Sequence, residues 1–225
     1  MEKLKEKLTN PFDGLKANDE KGFIEICAKI AEELLNNYGI KCGSKIYYFA
    51  EIEFYYWDKS EWNEKWNRIT YPRVSDAGDL FYHLSGVDIC FKSYYDKEDL
   101  DGNAKFGGIL IRAIRDDKRN ITAGPWNCML KILNECKGGQ MPQIQRLDTS
   151  CNSIENIKNT YRSLGDKDMN EEIEMSKETS LNLCFYDHRY LNVNNQLKTN
   201  KIALDKKLGK LKCVTSSYKT NRFNQ

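Results

Sequence analysis

One segment of this 225-residue chain reads Ala50-Glu51-Ile52-Glu53-Phe54-Tyr55-Tyr56-Trp57. Apolar and polar side chains alternate along it, which is the two-residue period of a β-strand. The pattern predicts a strand with an apolar face formed by Ile52, Phe54 and Tyr56. The opposite face places Glu53 and Tyr55 one strand step apart.

A carboxylate beside an aromatic ring favours a particular chemistry. The carboxylate can act as a general base, and the ring can stack on a flat heterocycle. Together they suit hydrolysis of the bond to a nucleobase that has left its stack. The structural alternative is a half-buried edge strand on which Glu53 is solvated.

Length and composition predict one globular domain over residues 1–225. The chain is 40% hydrophobic, which excludes general disorder. No apolar run approaches the ~20 residues that span a bilayer. The charged N-terminus, residues 1–7, is not followed by the apolar block of a secretory signal. We therefore expect a cytoplasmic protein with no membrane partner.

The cysteines favour buried, reduced thiols rather than disulfides or metal ligands. There are eight, none in a C-x-x-C pair, and the chain has two histidines, His83 and His188. Several of these cysteines, such as Cys27, Cys90 and Cys128, fall on the apolar faces of predicted elements. No zinc or iron–sulfur spacing is recognisable. We expect no metal site and no cofactor.

Charge is unevenly distributed along the chain. The formal net charge is +2, but residues 198–225 carry eight basic side chains and one acidic one. Such a basic C-terminal tail can bind phosphates, and Lys206, Lys207 and Lys210 are the predicted DNA contacts within it. The alternative is a solvated lysine-rich surface.

The remaining pattern predicts a small set of elements. Residues 1–18 look like a leader. Asn18 or Asp19 caps a helix that runs to Tyr38 and is closed by Gly39. Further elements are a strand over 45–57, a hairpin over 79–91 that turns near 84–86, a buried strand over 107–114, a helix that starts at Thr122-Ala123-Gly124-Pro125 and ends near 136, and a strand or strand pair within 181–193.

Taken in order, these motifs resemble the alkyladenine (3-methyladenine) DNA glycosylase family over roughly residues 25–136. The matching segments are Ile30-Ala31-Glu32-Glu33-Leu34-Leu35, Glu51-Ile52-Glu53-Phe54-Tyr55, Gly78-Asp79-Leu80-Phe81-Tyr82, Gly86, Leu110-Ile111-Arg112-Ala113-Ile114 and Thr122-Ala123-Gly124-Pro125. The resemblance implies an α+β fold: a single domain with an open, mixed, barrel-like β-sheet core and peripheral helices.

The resemblance also implies roles for individual residues. In that family the second glutamate of E-x-E-x-Y, here Glu53, orients the water that attacks the sugar. The following tyrosine, Tyr55, stacks on the flipped base. The family arginine that contacts DNA near the extruded nucleotide matches Arg112.

A second stacking residue of that family lies in the first hairpin strand. Here the hairpin between Gly78 and Gly86 is one residue shorter than the family pattern. Counting from Gly78 gives His83, whereas counting back from Gly86 gives Tyr82. Asp88 lies on the same face as Gly86, so it is a candidate second carboxylate for the pocket.

Three positions depart from the family pattern. Ser85 stands where the family has the tyrosine that fills the gap left by the base, so a wedge must come from elsewhere, with Tyr94 or Tyr95 as candidates. No histidine occupies the base-clamping position near Glu64. Lys92 replaces the asparagine that excludes guanine. We therefore expect a base other than the family's usual one, in mismatched, single-stranded or hypermodified DNA.

Three functions follow as hypotheses. The first is a monofunctional DNA N-glycosylase whose partner is DNA that contains a modified base. The second is a non-catalytic nucleic-acid or nucleotide-binding module, and the third is an interaction domain, for example one from a phage or a defence system. Structural roles compete with the site roles: Tyr55 and Tyr82 as core aromatics, His83 as a satisfied histidine, and Arg112 paired with an acid such as Asp88.

Overall fold

The computed structural model describes residues 1–16, 19–58, 74–94, 104–136, 139–148, 157–163 and 181–187. Within these ranges the chain forms three helices and nine strands. The helices are α1 (Glu2–Thr9), α2 (Glu20–Asn37) and α3 (Pro125–Glu135). The strands are β1 (Tyr38–Cys42), β2 (Lys45–Asp58), β3 (Leu80–His83), β4 (Gly86–Cys90), β5 (Lys105–Arg115), β6 (Ile121–Ala123), β7 (Gln143–Arg146), β8 (Ile157–Ser163) and β9 (Leu181–Asp187).

The nine strands form one curled sheet, so the fold is α+β with an antiparallel half-barrel. Strand order is β3-β4-β5-β2-β1-β7, with β6 paired to β5, β9 paired to β2, and β8 paired to β9. The prediction of a mixed sheet is wrong for this part of the chain, because every described pairing is antiparallel. The hairpins β1–β2, β3–β4 and β5–β6 explain this, since a short turn can join only antiparallel neighbours.

Strand β2 is the centre of the sheet rather than its edge. Residues 48–58 of this 14-residue strand pair with β5 along one side. On the other side the first part pairs with β1 and the later residues 51–54 pair with β9. The register with β5 shifts between Phe49 and Ile52, and such an irregularity bends a strand. The edge-strand alternative for this segment is therefore wrong.

One face of the sheet packs on the helices. The predicted helix is confirmed as α2, and Asp19 is its cap, because its side chain accepts a hydrogen bond of 2.9 Å from the Gly22 N–H. The face that α2 buries includes Phe23, Cys27 and Leu34, all fully buried. These side chains join the core with Ile52, Phe54, Ile89, Ile109 and Phe185 of the sheet.

Two expectations about the N-terminal part are wrong. The leader contains helix α1, which places Leu4 and Leu8 in the core with no exposed surface. Gly39 does not close α2 in a left-handed conformation, because strand β1 begins directly at Tyr38. A Cβ at Gly39 would lie 2.7 Å from the Tyr47 carbonyl oxygen, so glycine is needed there for the close approach of two strands.

Other predicted elements are confirmed. The hairpin over 79–91 forms as β3 and β4, with its turn at residues 84–85. Strand β5 and helix α3 lie where the sequence places them, although Thr122 belongs to β6 and Gly124 is the N-cap. Among the described helices, none combines the length and apolar character needed to span a bilayer.

Candidate active site

The second face of the sheet carries the polar residues. Glu53 of β2 lies opposite Leu110 of β5 and Cys184 of β9, and Leu110 lies opposite Asp88 of β4. Side chains alternate between faces, so residues two apart on one strand share a face. This face therefore carries Glu51, Glu53, Tyr55, Phe81, His83, Asp88, Leu110, Arg112, Cys184 and Tyr186.

Two glutamates share one arginine at the centre of this face. Arg112 donates from Nε to Glu51 Oε1 at 2.9 Å and from Nη1 to Glu53 Oε2 at 2.6 Å. Glu51 is 4% exposed and Glu53 is 1% exposed. Buried carboxylates require such partners, since an isolated buried charge is very costly. The arginine pairs with these glutamates and not with Asp88, which was the expected structural alternative.

The surroundings of Arg112 keep its guanidinium protonated. Burial acts to lower the pKa of Arg112, but the charges of Glu53 and Glu51 outweigh burial and raise that pKa above its ordinary value. The guanidinium is therefore cationic at any physiological pH. With both carboxylates ionised, this Glu51–Arg112–Glu53 group has a net charge of −1.

Two further side chains adjoin the group. The Cys184 thiol donates to Glu53 Oε2 with an Sγ–Oε2 distance of 3.7 Å. Tyr186 is 2% exposed and lies opposite Glu51 in the register. Burial and the charge of Glu51 raise the pKa of Tyr186 to about 12, so its hydroxyl stays protonated. Among the described residues that hydroxyl has no hydrogen-bond partner.

A second group links two aromatic rings through one carboxylate. The Tyr55 hydroxyl donates a short hydrogen bond to Asp88 Oδ2. His83 Nε2 lies 3.2 Å from the same oxygen. The ring of Tyr55 spans β5 at Gly108, its cross-strand partner, where no side chain blocks the way. Asp88, 2% exposed, thereby holds the Tyr55 ring on the face that carries Glu53, with the His83 ring next to it.

A hydrogen bond holds one ring nitrogen of His83. The Ser85 N–H donates to His83 Nδ1 at 3.2 Å, so the proton of a neutral ring is on Nε2. Nε2 lies 3.2 Å from Asp88 Oδ2 but makes no hydrogen bond among the described residues. The ring also stacks on Phe81 with a centroid distance of 5.7 Å. With 17% of its side chain exposed, His83 lies at the rim of the face, where the buried groups come closest to solvent.

The structure separates the two candidates for the second stacking position. His83 lies on the face of Tyr55 and Asp88, whereas Tyr82 points to the opposite face and packs against the hydrophobic core. The structure thus brings Glu53, Tyr55, His83, Asp88 and Arg112 together and places Tyr82 apart from them.

Helix α3 starts beside these site residues. The Gly124 N–H donates to the Arg112 carbonyl oxygen at 2.8 Å. A Cβ at Gly86 would lie 2.8 Å from Pro125 Cβ, so the β3–β4 turn and the first turn of α3 are in close contact. The rim of the site is therefore formed by the hairpin on one side and by the α3 N-terminus on the other.

Other predicted positions lie elsewhere. Lys92 is exposed and lines a separate cleft of about 210 Å³ together with Thr9, Asn10, Pro11, Asp13, Tyr56, Tyr94 and Lys105. Lys105 pairs with Asp58, five residues beyond Glu53 on β2, so this cleft lies roughly 17 Å along the strand from the site. Tyr95, Lys206, Lys207 and Lys210 lie outside the described residues.

Sequence reasoning missed three residues of the site. Glu51 lies two residues before Glu53 in the same motif, and this spacing could have indicated that both glutamates share one face of the strand. Cys184 and Tyr186 come from β9, more than 120 residues away in sequence, and nothing local to them indicates this neighbourhood. In the described part of the chain, no group of three or more His, Cys, Asp or Glu side chains is arranged to hold a metal ion.

Comparison of the chain with protein-family models, curated proteins and solved structures gives no match. Membership of the alkyladenine DNA glycosylase family therefore stays a prediction from the sequence motifs.

Proposed function

We propose that this protein is a monofunctional DNA N-glycosylase, which hydrolyses the bond between a modified base and its deoxyribose. The observation that carries the proposal is the joint position of Glu53, Tyr55, His83 and Arg112 on one sheet face. A carboxylate, two aromatic rings and a fixed cation are the parts that the motif resemblance requires, and strands from distant parts of the chain supply them.

Glu53 is the proposed general base. Its carboxylate accepts a proton from a water molecule, and the water oxygen forms a bond to the sugar C1′. The glycosidic bond breaks, and its electron pair leaves with the base. The sugar becomes positively charged as this bond stretches, and the net −1 charge of the Glu51–Arg112–Glu53 group stabilises that positive charge in a buried site.

Arg112 is proposed to position Glu53. Its guanidinium is engaged by two carboxylates through two different nitrogens. Because the guanidinium is planar and rigid, it fixes both carboxylates relative to each other. This role replaces the direct DNA contact that the motif resemblance implies for Arg112.

Tyr55 and His83 are proposed to hold the extruded base. Stacking of a base on an aromatic ring stabilises binding by about 1–3 kcal/mol. Both rings contact Asp88, so they do not need to be ordered when the base arrives. Preorganised groups of this kind lower the entropic cost of binding.

A second candidate function is a non-catalytic nucleic-acid-binding module. The observation that favours it is the burial of Glu53, which is 1% exposed and already bonded to Arg112 and Cys184. Under this alternative the buried ion pair has only a structural role. Base release by the wild-type chain separates the two candidates, since a binding module releases no base.

The function is tested by base release. The wild-type chain is incubated with 3-methyladenine, hypoxanthine and hydroxymethylated or glucosylated pyrimidines, each in duplex and in single strands, and abasic sites are measured. We expect abasic sites with at least one modified base and none with unmodified DNA. Binding without abasic sites on every substrate would support the binding module instead.

A further inference from the structure

Two cysteine thiols lie next to each other where helix α3 ends against the β1–β2 turn. Cys42 is the last residue of β1, and Cys136 is the C-cap of α3. The Cys136 thiol lies within hydrogen-bonding reach of the Cys42 thiol. Cys42 belongs to the main hydrophobic core with 1% of its surface exposed, and half-buried Cys136 packs against that core.

The backbone on either side of the two cysteines shows the same proximity. A Cβ placed on Gly43, the residue after Cys42, would lie 3.4 Å from the Glu135 carbonyl oxygen. Glu135 directly precedes Cys136. Lys45, the cross-strand partner of Cys42, also donates to Glu135 Oε2 at 2.7 Å. The fold therefore holds together two cysteines that are about 90 residues apart in the sequence.

Cys136 differs from the other described cysteines in its accessibility. Five of the six described cysteines are buried, and Cys136 is the exception. Cys128 and Cys184 each donate a hydrogen bond to an oxygen atom rather than to a second thiol. Within the described part of the chain, a dissolved oxidant therefore meets Cys136 first, with Cys42 directly behind it.

We propose that Cys42 and Cys136 form a reversible disulfide when the protein meets hydrogen peroxide. The Cys136 thiolate takes one oxygen from the peroxide, whose O–O bond breaks, and becomes a sulfenic acid while the other oxygen leaves as water. The Cys42 sulfur then attacks the sulfenic sulfur. The S–O bond breaks, and the departing hydroxyl takes the Cys42 proton and leaves as a second water. Two thiols thus lose two electrons and two protons, and one peroxide becomes two waters.

The surroundings assign one step to each cysteine. Burial, together with the charge of the nearby Cys136 sulfur, raises the pKa of Cys42 to about 12, so Cys42 stays protonated at neutral pH. The thiolate is the form of cysteine that attacks an oxidant. The more accessible Cys136 is therefore oxidised first, and Cys42 resolves the sulfenic acid. The reaction does not depend on the proposed base release.

The disulfide also has a consequence for stability. It closes a loop of about 90 residues, and such a link reduces the conformational entropy of the unfolded chain. The oxidised protein should therefore melt about 5–15 °C above the reduced protein. A dithiol such as dithiothreitol should reverse this shift, because it reduces the disulfide by exchange.

Peptide mapping of the full chain tests the disulfide directly. The reduced, folded protein is treated with a small excess of hydrogen peroxide, its remaining thiols are blocked with N-ethylmaleimide in urea, and it is digested without reductant. Mass spectrometry should find the peptide of Cys42 joined to the peptide of Cys136 with the loss of two hydrogens. Dithiothreitol should separate the two peptides.

Two variants accompany the wild type. Cys136→Ser should form no joined peptide, and its melting temperature should not respond to peroxide. Cys151→Ser combined with Cys213→Ser is the matched control, because it removes the two cysteines outside the described residues; it should keep both the joined peptide and the melting shift. A wild-type chain in which Cys42 is still blocked by maleimide after peroxide treatment would overturn the proposal. So would a disulfide between other cysteines, or an equal melting shift in Cys136→Ser.

Discussion

Arg112 provides the sharpest test of how the polar face is held together. Replacing Arg112 with methionine keeps much of the side-chain volume but removes the cation that Glu51 and Glu53 share at 2.9 and 2.6 Å. Both carboxylates are at least nineteen-twentieths buried, so water cannot replace the lost partner without opening the sheet. Removing one partner of a buried ion pair costs about 3–5 kcal/mol.

That loss is a large part of the 5–15 kcal/mol by which domains are usually stable. For a chain of 150–250 residues, each kcal/mol corresponds to roughly 2–4 °C in melting temperature, so Arg112→Met should melt about 6–20 °C below the wild type. Urea unfolding followed by circular dichroism gives the free energy of unfolding directly. Arg146→Met, at an exposed arginine of edge strand β7, is the control and should lie within about 0.5 kcal/mol of the wild type.

A compensating variant distinguishes the effect of unpaired charges on stability from the effect of changed side-chain packing. Arg112→Met alone leaves two buried carboxylates without their cation. Combining it with Glu51→Gln and Glu53→Gln removes these charges, so the combined variant should recover at least half of the lost free energy of unfolding. An Arg112→Met protein within about 1 kcal/mol of the wild type would refute the reasoning. So would a combined variant that is less stable than Arg112→Met alone.

Three smaller predictions address other parts of the structure. Tyr55→Phe removes the hydrogen bond to buried Asp88 and should lower the free energy of unfolding by about 1.5–3 kcal/mol in urea titrations. Asp19→Ala removes the α2 cap and should lower it by about 0.5–2 kcal/mol, with a matching loss of helical signal on melting. Hydrogen bonds from Lys45 and Lys131 lower the pKa of Glu135 to about 2, so its stabilising effect is present above the ordinary glutamate pKa and is lost as pH falls towards 2. The stability gap between the wild type and Glu135→Gln should therefore be widest above pH ~5 and close near pH 2; a gap independent of pH would contradict this.

The parts of the fold that were predictable have strong local signals. Strand β2 alternates over its whole second half, and α2 combines a cap at Asp19 with a long apolar face. In the β3–β4 hairpin, Gly78 precedes the first strand and Gly86 directly follows the turn, each with positive φ. In these elements the local pattern and the tertiary environment agree, which makes them predictable from one sequence.

Other elements lack such signals. Helix α1 has Leu4 and Leu8 at helical spacing, but its many charges resemble a solvated leader. Strand β1 follows α2 without a connecting loop, so its start at Tyr38 looked like the end of the helix. The place of β9 beside β2 depends on pairing across more than 120 residues, which no local pattern encodes.

Some residues of the candidate site were likewise predictable from local patterns, and others were not. Glu53, Tyr55 and Asp88 were identified because strand alternation fixes the face on which each side chain lies. The partner of Arg112 was not predictable, because it depends on the β2–β5 register and on the irregularity near Glu51. The choice between Tyr82 and His83 likewise needed the hairpin register, since one residue of slip moves every side chain to the other face.

The most direct test of the central claim is the single-turnover rate of base release by Glu53→Gln. Glutamine keeps the size of the side chain and can still accept the Arg112 hydrogen bond, so folding and DNA affinity should persist. The rate should fall by about 10²-fold or more, the usual effect of losing a positioned general base. Glu25→Gln, at a half-exposed glutamate of α2, should leave it unchanged. A Glu53→Gln protein that releases the base at the wild-type rate would contradict the assignment of Glu53 as the catalytic base.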